Sequence, residues 1–430
     1  MVFSKKRFFL ILFIFFLPFL FYFCLAPFLP EILSIANKAY TKHFVYNTTS
    51  VINSIETAPE EGLPKKSVDT PAVIKAIYMT GWSAGSKNYL NYLDGLFKTT
   101  QINAVVIDIK DASGVISYKT NAKKAKEYKA YWPEISDINA LVENLHRQGI
   151  YVIGRIVVFE DPLLAKNRPD LAVYDKSKTQ DKASPVLWED NKGLAWVDPS
   201  SQEVYDYNIE IAKDIERYGF DEINFDYVRF PTDGNADNMG FPLWNKEVPK
   251  HVVIKTFFKK LRQSLPDIKI SIDLFGQTTT NIDDMGIGQV FEDSLDYFDY
   301  ICPMIYPSHY AKGTFGYQTP ADYPYQIIIR ALDSALARQK VYYALQEVKN
   351  KNGNGANLPS TDKGLTVEAK IRPWLQDFNL GATYDASMVK KEIQAVADSM
   401  KADFNGYMLW NASNIYTADA IAKLVDQTFK

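Results

Sequence analysis

Cysteine, histidine and net charge are what this 430-residue chain has least of. Its two cysteines, Cys24 in an apolar run and Cys302 in a predicted strand, exclude a disulfide framework and a thiolate metal site. The four histidines, at 43, 146, 251 and 309, show no His-Glu-x-x-His or comparable ligand spacing. No metal and no cofactor are therefore expected. A formal net charge of −3 removes the electrostatic case for nucleic acid as a partner. No glycine-rich phosphate loop follows the first predicted strand, which disfavours the doubly wound open sheet that dinucleotide binding requires.

Apolar and aromatic residues are abundant, at 47% and 14%, with 27 tyrosines and 7 tryptophans. Such a chain can bury a large core and still present rings for sugars to stack on. Lys5, Lys6 and Arg7 precede an uncharged apolar run from Phe8 to Leu29, long enough to cross a bilayer as a helix. Basic residues before the run predict a cytoplasmic N-terminus and an exported remainder. Residues 1–30 are thus expected to be a transmembrane anchor, with a cleaved signal segment as the alternative. Residues 31–71, polar and closed by Pro64 and Pro71, read as a stalk.

From residue 72 to 430, short apolar strands alternate with amphipathic stretches. Eight strands are predicted, over 74–82, 103–111, 151–159, 220–228, 268–276, 299–307, 370–378 and 406–413, with helical patterns such as 137–149, 203–219 and 252–265 between them. Strand–helix alternation on this scale predicts a (β/α)8 TIM barrel with insertions at 160–199 and 345–369. The segment "KVYYALQEV" competes with "KIRPWLQDF" for the seventh strand; the polar residues of the second fall on one face, which favours it.

Side chains alternate along a strand, and barrel active sites sit at the C-terminal mouth. In "FDEINFDYV" Ile223 and Phe225 would pack outward, leaving Glu222, Asn224 and Asp226 inside, with Asp226 nearest the mouth. The same rule points Asp273 inward from the fifth strand. Two carboxylates on consecutive strands are what glycoside hydrolysis needs, one to donate a proton and one to attack or activate water, and proximity raises the pKa of one of them. Asp226 is the expected nucleophile or base and Asp273 the expected acid; Asp111, Glu160 and Asp161 are rivals. An ion pair of Asp226 with Arg229 or Lys110 is the structural alternative. Trp82, Tyr306, Trp374 and Trp410 are candidates to line sugar subsites, and Asp108, Lys110, Arg155, Arg229 and Gln376 to bind polar or acidic groups.

Three separated motifs, "GFDEINFDYVRFP", "IRPWLQDF" and "GYMLWNASNIYT", together resemble a bacterial family of glycosyl hydrolase domains over roughly residues 73–420. The resemblance implies a (β/α)8 barrel active on a cell-envelope or extracellular polysaccharide. More distantly, "DEINFDYV" is similar to the D-x-x-D-x-D-x-E signature of chitinase-type family 18 barrels. It keeps Asp221 and Asp226, but Asn224 replaces the middle Asp and Val228 stands where the acidic donor would be. A proton donor must then come from elsewhere. The chain is expected to be a membrane-anchored, extracytoplasmic glycoside hydrolase, or else a non-catalytic glycan-binding barrel of the envelope.

Overall fold

In the computed structural model, residues 68–351 and 367–423 are described. The apolar run at 8–29 and almost all of the 31–71 stretch lie outside them. Among the described residues no helix is long and apolar enough to cross a membrane.

Eight strands pair in parallel and close on themselves: β1 (Ile74–Met79), β2 (Ala104–Lys110), β3 (Tyr151–Val157), β4 (Glu222–Asp226), β5 (Lys269–Phe275), β6 (Tyr300–Met304), β7 (Trp374–Gln376) and β8 (Gly406–Trp410). Each pairs with its neighbour in sequence, and β1 pairs with both β2 and β8, so no barrel edge is left open. This is the predicted TIM barrel, strand for strand. β7 is short: Lys370–Ile371 pairs with Tyr300–Ile301, Pro373 interrupts, and the ladder resumes where Met304 meets Trp374. The competitor "KVYYALQEV" belongs to a helix instead.

The main helices fall between the strands as expected: α1 (Lys87–Thr99), α2 (Ile138–Arg147), α3 (Gln202–Arg217), α4 (Lys250–Ser264), α5 (Pro324–Lys351) and α6 (Ala386–Met400). Ser86, Asp137, Ser201 and Asp385 cap α1, α2, α3 and α6, each side chain accepting a bond from an otherwise unpaired first-turn N–H. Within α5, Tyr342 and Tyr343 tie their hydroxyls to Asp296 and the Leu295 carbonyl. These tertiary anchors override the strand-like local composition.

Alternation along the strands sorts the core into two layers. Ile223, Phe225, Ile270, Ile272 and Leu274 face the helices. Ala76, Tyr78, Val106, Tyr151, Ile153, Cys302, Trp374 and Met408 fill the barrel. Below the mouth Glu222 and Arg372, both fully buried, form an ion pair across the interior from β4 to the segment that leads into β7. Tyr151 bonds the same carboxylate at 3.3 Å, and the Arg372 guanidinium lies 4.1 Å over the Tyr300 ring. Glu222 is thus a structural charge.

Closure depends on one glycine. Gly406 pairs with Ile74 at φ +105°, where a Cβ would lie 1.8 Å from the Ile74 carbonyl oxygen. No side-chain movement relieves a clash with backbone. Gly406→Ala is expected to cost at least about 1–3 kcal/mol, read as a lower urea midpoint in equilibrium unfolding.

The 160–199 insertion packs its apolar residues into the same core as the outward faces of the strands. Trp188 and Trp196 are buried, Tyr174–Asp175 pairs with Met239–Gly240, and Glu160 bridges to Trp196. The second insertion continues α5 to Lys351; residues 352–366 lie outside the described residues.

Candidate active site

A cavity of about 420 Å3 opens at the C-terminal mouth. Asp226 from β4 and Asp273 from β5 both line it, with Arg155, Arg229, Tyr306, Trp374 and Trp410. Seven of the predicted site residues therefore share one cleft.

The two carboxylates are held differently. Arg155 donates to Asp226 Oδ2 through Nε at 3.1 Å and Nη2 at 2.5 Å, while the Tyr227 amide donates to Oδ1 at 2.6 Å. The partner of Asp226 is thus Arg155, neither Arg229 nor Lys110. Arg155 also bonds Asp108 Oδ1 at 2.5 Å, and the Tyr78 hydroxyl donates to Asp108 Oδ2 at 2.5 Å. Asp108 lies behind the cavity wall and positions Arg155; it is not a lining residue. Burial raises its carboxyl pKa, and the Arg155 charge opposes that rise.

Asp273 Oδ1 accepts from Asn224 Nδ2 at 2.9 Å and from Trp374 Nε1 at 2.8 Å. Asn224 is steadied in turn by Ser271 Oγ at 3.1 Å. Burial, with the charge of Asp226 behind it, pushes the Asp273 carboxyl well above the usual carboxylate range, although Asn224, Arg155 and Trp374 pull the other way. Two like carboxylates in one cavity are thus held differently: Asp226 is ion-paired to Arg155, and burial favours the protonated form of Asp273.

Rings form one wall. Trp410 stacks on Tyr78 with centroids 4.0 Å apart and meets Trp374 edge-on at 5.7 Å. Tyr306 meets His309 edge-on, and partial desolvation lowers the His309 pKa. On the other side the Arg229 guanidinium lies 4.8 Å from the Trp196 ring, 4.8 Å from Phe275 and 5.2 Å from Tyr227.

Besides Asp108, three predicted site residues are elsewhere. Trp82 sits in a short helix past β1 and is 67% exposed, outside the cavity. Lys110 was expected to share a face with Asp108. A bulge between them shifts the register, and Lys110 is buried in an ion pair with Asp161 at 2.6 Å. Gln376 turns onto its own loop, accepting from the Ser308 amide at 3.2 Å and donating to the Phe378 carbonyl at 2.9 Å. Of the rival acids, Asp161 is thereby engaged, and it also caps the helix that follows it. Asp111 accepts from Ser113.

Tyr227, Lys192 and His309 line the cavity without having been predicted. Strict alternation would have turned Tyr227 outward, but its φ of 53° puts the chain into the left-handed region just past β4. That turn brings both Tyr227 and Arg229 onto the cleft. Lys192 arrives on the 160–199 insertion, whose two tryptophans were its only sequence signal. Among the described residues no group of three or more His, Cys, Asp or Glu could hold a metal.

The family model gives the class: a glycoside hydrolase, here built on a (β/α)8 barrel. The chain belongs to the family described as "Putative glycosyl hydrolase domain", whose model matches residues 76–416. Among solved structures it is similar to a hypothetical protein from Ruminiclostridium thermocellum, at 35% identity over 49% of this chain and 98% of that one, with a TM-score of 0.42. It is also similar in fold to the PgaB (BpsB) glycoside hydrolase domain from Bordetella bronchiseptica, at 14% identity over 82% of this chain and all of that one, with a TM-score of 0.53. No curated protein matches the sequence.

Proposed function

We propose that the barrel hydrolyses glycosidic bonds in a cell-envelope or extracellular polysaccharide, with Asp273 as general acid and Asp226 as nucleophile or base. The observation that carries this reading is the pair of carboxylates in one cleft, one ion-paired to Arg155 and the other fully buried, with burial raising its pKa. Asp273 Oδ1 holds two fixed donors, which leaves Oδ2 to deliver the proton to the leaving oxygen. Trp374, Trp410 and Tyr306 offer the apolar surfaces on which sugar rings stack. The basic cluster at 5–7 and the apolar run at 8–29 support a single membrane anchor with the barrel on the extracytoplasmic side.

The second reading, a barrel that binds glycan without cleaving it, draws on the double hold of Arg155 on Asp226, which restrains that carboxylate. Incubating the purified 72–430 domain with a panel of envelope glycans decides between the two, because binding and product release are read together. Binding with no new reducing ends across the panel would favour the second reading.

The pH profile carries its own sign. The donor form of Asp273 is the protonated one, present below its raised pKa and lost as pH rises through it. The alkaline limb of kcat/KM against pH is expected to lie well above the ordinary carboxylate range. A limb near pH 4 would count against Asp273.

A further inference from the structure

Among the described residues five cationic side chains are buried: Lys110, Arg155, Arg229, Arg262 and Arg372. Four have a carboxylate in contact: Lys110 with Asp161 at 2.6 Å, Arg155 with Asp108 and Asp226 at 2.5 Å, Arg262 with Asp299 at 2.5 Å, and Arg372 with Glu222. Arg229, only 4% exposed, has none among the described residues. Its Nη1 donates to the Phe230 carbonyl at 3.3 Å and reaches Thr232 Oγ1 at 3.5 Å, both neutral acceptors. Neither Nε nor Nη2 donates to any described residue, and these two make the edge that grips an oxyanion with two parallel bonds.

A buried charge without a counter-charge is unfavourable unless something supplies one. The rings of Trp196, Tyr227 and Phe275 offset part of that cost and fix the guanidinium plane. Arg229 lines the cavity, and so does Lys192, which has no ion-pair partner among the described residues. Glu160, close enough to sense both cations, forms an ion pair with neither among the described residues, and burial and then Asp190 push its carboxyl up to about 8. Asp233 also lines the cleft, but it is solvent-exposed and pairs with neither cation among the described residues.

We infer that Arg229 and Lys192 form an anion subsite of the cleft, and that the ligand is an acidic glycan whose sugar carries a carboxylate or sulfate beside the bond at Asp273. The inference rests on the reading of the cleft as a glycan site, and it names the substrate class. Phe275 ties the two regions together: its ring contacts Arg229, and its strand carries Asp273 two residues earlier.

The test measures binding on the Asp273→Asn variant, so that ligand is not consumed. Two matched pairs serve as probes by isothermal titration: tetragalacturonate against its methyl ester, and a sulfated galactotetraose against galactotetraose. The acid member of at least one pair is expected to bind ~10- to 100-fold more tightly than its neutral partner. The pair that responds distinguishes carboxylate from sulfate. Arg229→Met should abolish the preference, Arg229→Lys should keep part of it, and Lys192→Ala, at an exposed position, should reduce it without altering the melting temperature. Equal binding within both pairs, no binding of either acid, or a preference unchanged in Arg229→Met and Lys192→Ala overturns the proposal. An acid preference in a barrel that cleaves no glycan would leave this inference standing while removing the hydrolase reading. Cleavage of neutral glycans with no acid preference would do the reverse.

Discussion

Asp273→Asn is expected to lower glycoside cleavage by about 10²–10⁴-fold, the usual contribution of a positioned proton donor, while leaving the fold intact. The amide is nearly isosteric with a protonated carboxyl, and its oxygen can still accept from Asn224 and Trp374. Because burial favours the uncharged form of Asp273, and the amide is itself neutral, the substitution introduces no new buried charge. The melting temperature should move little, so lost turnover reports chemistry. Asp226→Asn behaves differently. It removes a counter-charge from Arg155, leaving Asp108 as that cation's one carboxylate, so both activity and stability should fall. Turnover at the wild-type rate in purified Asp273→Asn, against a glycan the parent cleaves, would take Asp273 out of the reaction.

Glu222→Gln should produce the largest loss of stability, about 3–5 kcal/mol, because it strands Arg372 in the barrel without its counter-charge. Both side chains are fully buried, and the nearest help, the Tyr300 ring and the Cys302 thiol, is weak. Replacing both charges, as Glu222→Met with Arg372→Met, should recover most of the loss, since two apolar groups of similar volume carry no desolvation penalty. Urea unfolding of the two single variants and the double variant measures the coupling. Single variants that cost less than about 1 kcal/mol would mean that water reaches the pair.

The barrel was legible because its residues obey a local rule. Ile223 and Phe225 face the helices while Glu222, Asn224 and Asp226 face inward, as period-two alternation requires. The seventh strand was legible on the same ground, since Arg372 and Trp374 fall on one face and both point inside. What resisted reading depends on backbone irregularity or on distant partners. The bulge after Asp108 sends Lys110 to Asp161, and the left-handed turn at Tyr227 delivers a side chain that alternation assigns outward. The choice of Arg155 over Arg229 or Lys110 as the partner of Asp226 follows from register between β3 and β4, which pairs Arg155 with Asn224 and Val157 with Asp226. Lys192 reaches the cleft because an insertion folds back over it, and no spacing within that insertion announces where it lands.

The hydrogen bonds at the mouth divide the barrel into two halves that share one strand. Tyr78, Asp108, Arg155 and Asp226 link β1 to β4 in a single chain, whereas Asp273 is held by Asn224 of β4 and Trp374 of β7. The gap between the two carboxylates is what separates retention from inversion of the anomeric centre in this class of reaction. Here β4 acts as the ruler for that gap, since Asn224 and Asp226 stand two residues apart on one rigid strand, one fixing each half. On the proposed assignment, stereochemistry would be a property of how the halves meet, because a change in the tilt of β4 would move Asp226 relative to Asp273 while keeping both acids.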